Sequence, residues 1–346
     1  MVLGATARGA GSNVISVKAG DSQSLLNAID EANRRNADSL TAKRLYILIP
    51  DGIYDLGDRV LTTLTGHRVA LIGQSMRGTV IQNKPAAKDE GISKTATLRL
   101  IASDTYLQDL TLKNALDYYH AGSAGRAACL HDKGTRTICR RVCMLSYQDT
   151  YYTDNVEGQS YLENCEIHGT IDFICGAGDA YFNRCTLVTE RRTPDGSGCN
   201  VMVAPRTVDT PWGYVFESCV VHNRMSDFYY ARGWKETPRC IWLNTTLMSP
   251  EKLMQQRFDP QGMRTVNSYF KEYGTHDALG HDITPPTNVV TFKLNGEENT
   301  VETVMSAVEA NRYQLKKIFP SWRPEKIVGK TVCKADRLKK SYWGVR

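Results

Sequence analysis

Two aspartates in this 346-residue chain are placed to share a proton. Asp149 follows Val142 by seven residues and Asp172 follows Cys165 by seven, and Val142 and Cys165 are equivalent points of a recurring unit. Equivalent points on successive turns of a stacked chain project from one face, roughly 4.8 Å apart when the turns are parallel strands. Two carboxyls that close cannot both ionise cheaply, so one holds a proton while the other remains an anion. An acid beside an anion equips a site for nucleophilic or general acid/base chemistry. The bland alternative is a pair of turn acids on a solvated edge. The neighbours favour chemistry. Gln148 precedes Asp149 and Thr150, Tyr151 and Tyr152 follow it, Asp172 sits between apolar residues in GTIDFICG (169–176), and Arg232 and Trp234 offer a cation beside an aromatic ring.

The recurring unit pairs a polar residue with a small apolar one, in QDLTL, RRVCML, LENCEI, FNRCTL, FESCVV and WLNTTL. The second residue of each pair is Leu110, Val142, Cys165, Cys185, Cys219 and Thr245, at intervals of 32, 23, 20, 34 and 26. A floor near 20 with irregular excesses describes stacked coils carrying loops of variable length. No single coil can bury an apolar face alone, so neighbours must stack. The spacing predicts a parallel β-helix from about Val14 to about Leu247, with Cys165, Cys185 and Cys219 as an interior file. An alternating α/β fold needs a helical stretch between strands, and 183–216 has no helical period.

Solenoid ends need caps. Leu25, Leu26, Ile29 and Ala32 after Asp21 predict an N-terminal cap helix with Asp21 as N-cap. Val301, Val304, Met305 and Val308, with a box-like start at Asn299 and Glu302, predict a second helix near the C-terminus. The stretch 250–286 reads as a long loop. The expected organisation is a flexible segment 1–13, a β-helix catalytic domain 14–298 and a helical, basic appendage 299–346 packed on the solenoid.

Composition narrows the function. Hydrophobic residues make up 41% and charged residues 23%, normal for a globular chain, and no apolar run is long enough to span a membrane. No leader-like apolar stretch is visible at the start. The net charge of +6 resides in 326–346, where seven Lys/Arg face one Asp. That tail reads as a solvated end or as a weak attraction for a polyanion. With no nucleic-acid-binding motif beside it, nucleic acid is not an expected partner. Ten cysteines form no zinc-ligand pattern and read as buried free thiols.

At this point the motifs carry a resemblance. GTIDFICG is similar to the GTVDFIFG element of the pectin methylesterases, SYQDTYY to their GYQDTLY, ARGWKETPR to their LGRPW segment, and PDGIY at 50–54 to an early turn of that family. The resemblance covers about Val14 to Leu247 and continues more weakly through Trp322. It implies an all-β, right-handed parallel β-helix that hydrolyses the C6 methyl ester of galacturonate units in pectin. It implies Asp172 as nucleophile, Asp149 as general acid and then base, Gln148 as oxyanion donor and Arg232 as the group orienting Asp172. Trp234 is the implied sugar contact, with Phe173 and Tyr152 expected beside it. No metal or organic cofactor is expected; the expected partner is methyl-esterified homogalacturonan, met by a secreted or periplasmic monomer.

Three residues depart from the family pattern. Arg126 in GRAACL (125–130) stands where a second oxyanion glutamine is usual, as an oxyanion donor, a substrate contact or a salt-bridge partner elsewhere. Gly233 replaces a proline and Cys175 a phenylalanine. The rival readings are a polygalacturonase-type glycosidase, an esterase for another ester, and a non-catalytic polysaccharide-binding β-helix. His168 reads as a core residue more readily than as a tuner of Asp172, and His120 and His131 as candidate cleft residues. Asn244-Thr245-Thr246 matches a glycosylation acceptor but falls in an expected ladder strand. The irregular intervals before Val142 and after Cys185 predict long loops beside the site.

Overall fold

The polar residue of each repeat has a physical duty. Asp109, Arg141, Asn164, Arg184, Ser218 and Asn244 all adopt left-handed backbone, with φ of 48–56°. Each turns the chain through a corner, and the residue after it drops inside: Leu110, Val142, Cys165, Cys185, Cys219 and Thr245 are at most 1% exposed. Asp and Asn tolerate this conformation better than other side chains. The computed structural model describes residues 13–59, 62–86, 91–262 and 269–344. Apart from Asn13, the expected flexible segment 1–13 lies outside them.

The corner joins two of three parallel ladders. The first runs from Val14–Ser16 through Leu45–Ile49 and Val69–Gly73 to Arg239–Leu243. The second runs from Gly52–Asp55 through Thr79–Asn83 to Thr246–Leu247. Strands Thr105–Asn114 and Arg136–Leu145 pass through the corner and belong to both. The third ladder stacks Thr62–Leu64, Leu98–Leu100, Leu130–Asp132, Tyr151–Thr153, Ile171–Gly176, Cys199–Pro205 and Asp227–Ala231. The result is the expected right-handed parallel β-helix. Inside it, Phe182 stacks on Phe216 at 4.3 Å and Phe216 on Trp242 at 4.1 Å. The cysteine file is also interior. Cys165, Cys185 and Cys219 donate their thiols to the carbonyls of Cys139, Leu162 and Phe182 at 3.3–3.6 Å, each one coil back. Eight of the ten cysteines are buried and all are free; Cys199 is half-buried and Cys333 exposed, unlike the expectation for them.

Helix Ser22–Arg35 caps the first coil. Asp21 accepts from the Ser24 N–H, and Leu25, Ala28, Ile29 and Ala32 are buried, Leu26 only in part. The other end departs from expectation twice. The stretch 250–286 is not all loop, because Tyr269–Tyr273 pairs with Arg239–Leu243 and His276–Asp277 with Thr246–Leu247, adding one more coil. Its corner residue is Gly274, φ 66°, followed by the fully buried Thr275; glycine in place of the polar residue hid the repeat. The expected helix over 299–308 is instead the second strand of an antiparallel hairpin, Val289–Leu294 with Glu297–Glu302, closed by Asn295-Gly296 with both φ positive. Asn-Gly favours such two-residue turns, and Val308 is 76% exposed rather than on a buried face. The hairpin also straddles the expected boundary at 298/299. A one-turn helix Ala307–Ala310 begins later, capped by Ser306.

Helix Pro324–Trp343 lies along the outside of the first ladder. Val328, Ala335 and Leu338 pack with Leu48, Ile72, Tyr106 and Ile138 of successive coils. Lys339 is buried there, donating to Asp109 at 2.6 Å and to the Gln74 carbonyl at 3.0 Å. The basic tail is therefore anchored through Lys339 and the helix's apolar face, while its other described Lys and Arg side chains are exposed.

The corner rule is testable at Asn164, whose side chain is exposed. Asn164→Val should cost about 1–2 kcal/mol through its left-handed backbone alone, seen as a lower urea midpoint. Asn164→Gly should leave the midpoint unchanged or raise it.

Candidate active site

The third ladder carries the paired acids on its outer side. Its strands alternate, so Tyr151 and Ile174 enter the core while Tyr152 and Cys175 face out, in a cluster with Ala96, Ala128 and Ala204 on which Trp234 packs. The register Tyr151↔Ile174 and Tyr152↔Cys175, continued two residues back, sets Asp149 against Asp172. Both aspartates have left-handed backbone, φ 60° and 52°. For Asp172 the cause is a bulge: one extra residue stands between the pairs Ile171↔Val201 and Ile174↔Val203. A bulge breaks the in–out alternation and re-aims a side chain, and here it leaves the aspartate over the ladder.

Arg232 follows strand Asp227–Ala231, two coils beyond Asp172. Its N–H bonds the Val203 carbonyl at 2.9 Å, which aims the side chain back over the intervening strand. Nε reaches Asp172 Oδ1 at 2.9 Å and Nη2 reaches Oδ2 at 2.5 Å. This bidentate grip fixes the plane of the carboxylate. Gly262 makes room for it, because a Cβ there would stand 2.3 Å from Arg232 Cβ. Sequence reasoning missed Gly262; it carries no motif, and only the close approach reveals it.

The two acids differ in their surroundings. Burial first, and then the charge of Asp172, push Asp149 up to about 7, against the pull of the Cys175 thiol, Arg126 and Arg232. The thiol donates to Asp149 Oδ1 at 3.7 Å. Burial also raises Asp172, while the Arg232 fork and charge, and then Arg192, favour its anion. The proton therefore belongs on Asp149 and the charge on Asp172, which holds the guanidinium. Arg192 was not singled out in the sequence. It lies on the loop after Thr186–Thr189, where it bonds the Tyr118 hydroxyl, and Tyr119 donates to the Arg191 carbonyl at 3.0 Å. The two long loops expected from the irregular intervals thus meet over one side of the site.

Gln148 and Arg126 are bridge partners on adjacent coils, and the Ala127 N–H bonds the Gln148 carbonyl at 3.1 Å. Tyr152 stacks on His131 at 4.9 Å and meets Trp234 edge-on at 6.2 Å. Phe173 does not fit its expected place. It is fully buried in the solenoid core, so it supports the bulge from beneath and no ligand can touch it. His131, 1% exposed beneath Tyr152, is likewise not a cleft residue, and His120 is an exposed partner of Asp117. His168 belongs to the second ladder, clamped between Glu166 at 2.6 Å and Glu190 at 2.7 Å, which raise its pKa against burial. Cys143, Glu166 and His168 are metal-ligand types close together, but Arg77 already bonds both Cys143 and Glu166. That closes the group as an ion network. Asn244 is exposed at a corner rather than inside a strand.

Comparison with known proteins bears on the family and the fold. The pectinesterase family model matches residues 14–275. The chain belongs to the pectinesterase family. Putative pectinesterase 11 of Arabidopsis thaliana is 27% identical over 227 residues, covering 60% of this chain and 61% of the relative. Probable pectinesterase 50 of the same plant is 28% identical over 211 residues, with 60% of this chain and 55% of the relative covered. The chain thus spans somewhat over half the length of these curated relatives. Among solved structures, a pectin methylesterase in complex with a hexasaccharide superposes with a TM-score of 0.65 at 25% identity, over 84% of this chain and 93% of that one. Pectin methylesterase PemA from Erwinia chrysanthemi shares the fold, with a TM-score of 0.69 over 92% and 99% of the two chains at 24% identity. In this pectinesterase-family chain the two acids and Arg232 come together, and Arg126 and Cys175 act on Asp149.

A buried acid raised to about 7 should weaken the fold at neutral pH. The extra stability of protonated Asp149 is complete below about pH 4 and is lost as pH rises through about 7. Asp149→Asn should therefore melt with the parent chain at pH 4 and later than it at pH 8, by up to about 4 kcal/mol. Thermal melts at the two pH values check this.

Proposed function

We propose that this chain is a pectin methylesterase, hydrolysing the C6 methyl ester of galacturonate units to methanol and a free acid. The observation that carries the reading is the division of labour between two aspartates, one protonated near neutrality and one gripped in both oxygens by Arg232. Arg232 takes one lone pair on each Asp172 oxygen and leaves others for attack. An Asp172 oxygen adds to the ester carbonyl, and the oxyanion draws on donors from Gln148 and from Arg126, each such donor supplying about 2.7–4 kcal/mol. Asp149 gives its proton to the departing methoxide, so methanol leaves and an acyl-aspartate remains. Asp149, now a carboxylate, takes a proton from water as that water attacks the acyl carbon. Asp172 is released as an anion, Asp149 is an acid again, and the product is a galacturonate carboxyl. Trp234 and Tyr152 supply the apolar wall for the sugar. A polymer substrate of the plant wall places this work outside the cytoplasm.

Highly methylated homogalacturonan should yield methanol without new reducing ends, and Asp172→Asn should lower the rate at least about 10³-fold. New reducing ends would mean chain cleavage instead. Because Asp149 must carry its proton into the first step, kcat/KM should fall as pH rises through about 7. Arg126→Gln removes a cation that lowers Asp149, so that limb should move to higher pH. Gly262→Ala should cost about 10–100-fold in kcat/KM by displacing Arg232, since small misplacements of catalytic groups are that expensive.

A further inference from the structure

The C-terminal helix has a second face. Lys326, Lys330, Lys334, Arg337 and Lys340 are all exposed, and at 3.6 residues per turn they fall within an arc of about 120°. They form a stripe about 21 Å long at 1.5 Å per residue. No acid stands within it; Glu325 and Asp336 lie on its flank. The helix's remaining lysine, Lys339, points the other way, into its buried pair with Asp109. That pair and the apolar contacts of Val328, Ala335 and Leu338 hold the helix on the solenoid. The charge is also local, because 326–340 carries six Lys/Arg against one Asp, most of the chain's net charge of +6.

We propose that this stripe is a docking surface for a linear polycarboxylate, namely de-esterified homogalacturonan. The identity of that polyanion rests on the esterase reading above, since it is the product of that reaction. Its carboxylates repeat along an unbranched chain, and a row of flexible ammonium groups suits repeated single charges better than one compact anion. Between Lys326 and Lys340 there is no aromatic ring on which a nucleic-acid base would stack. The surface retains the enzyme on chains it has already de-esterified and discriminates against fully methylated ones, which carry no charge for it.

The test is affinity electrophoresis through immobilised polygalacturonate, comparing the parent chain with Lys330→Gln/Lys334→Gln/Arg337→Gln. These side chains are exposed, and melting curves establish that the variant is folded. The parent should be retained at low salt and released as salt rises, and the variant should bind at least about tenfold more weakly. Lys330→Arg/Lys334→Arg should retain binding, and highly methylated pectin should hold both chains equally weakly. Equal retention of parent and variant on polygalacturonate overturns the proposal, as does equal loss of binding to methylated pectin in the variant. Tighter binding of the parent to duplex DNA than to polygalacturonate overturns the assigned occupant. Methanol release from a short methyl-esterified oligogalacturonate should be the same in both chains. A parent that binds through the stripe but releases no methanol refutes the esterase reading alone; one that releases methanol without stripe-dependent binding refutes the stripe alone.

Discussion

The grip of Arg232 on Asp172 is the constraint around which the rest of the site is arranged. It crosses an intervening strand, so it exists only if strands 171–176, 199–205 and 227–231 keep their register. It requires the bulge that turns Asp172 over the ladder, and it requires Gly262, whose missing side chain admits the arginine stem. It also sets the two acids apart. Take the guanidinium away and Asp172 loses the fork that favours its anion, leaving it too a buried acid with reason to hold a proton. A solenoid suits such a site because its register is set by stacked coils, with Phe182, Phe216 and Trp242 holding successive ones together from within. The site gains a rigid platform without contributing any residue to the core beneath it.

Legibility in the sequence followed the strength of the local rule. The repeat was visible because every corner asks for the same backbone, and a polar residue before a small buried one satisfies it. The acid pair was visible because it keeps the phase of those corners. The last coil was missed because Gly274 meets the same backbone requirement without the polar signature. The C-terminal hairpin was misread because Val301, Val304, Met305 and Val308 imitate a helical period, while the stronger local signal, Asn295-Gly296, marks a tight turn. The resemblance alone put Phe173 beside Trp234, and no local signal announces the bulge that lifts the aspartate and leaves its neighbour in the core. Gly262 and Arg192 left no local signal, since their roles arise from contacts across tens of residues.

The departures expected from the motif resemblance fall on one side of the same in–out division. Tyr151, Phe173 and Ile174 point into the core, and changing any of them would alter the packing that sets the register. Cys175 points outward beneath Asp149, and Arg126 is paired with Gln148 at the edge of the ladder. Both can differ from the family pattern at little expense to the fold. Their effects fall on the chemistry instead: the thiol donates to the proton-bearing acid, and the guanidinium brings a positive charge toward it. Each favours the Asp149 anion and opposes the burial that favours its acid. A lower pKa makes Asp149 a better proton donor and a weaker base, and the proposed mechanism asks both of it in successive steps. In that proposed mechanism the outward positions of this solenoid adjust the balance between the two half-reactions, while the inward ones hold the geometry that both share.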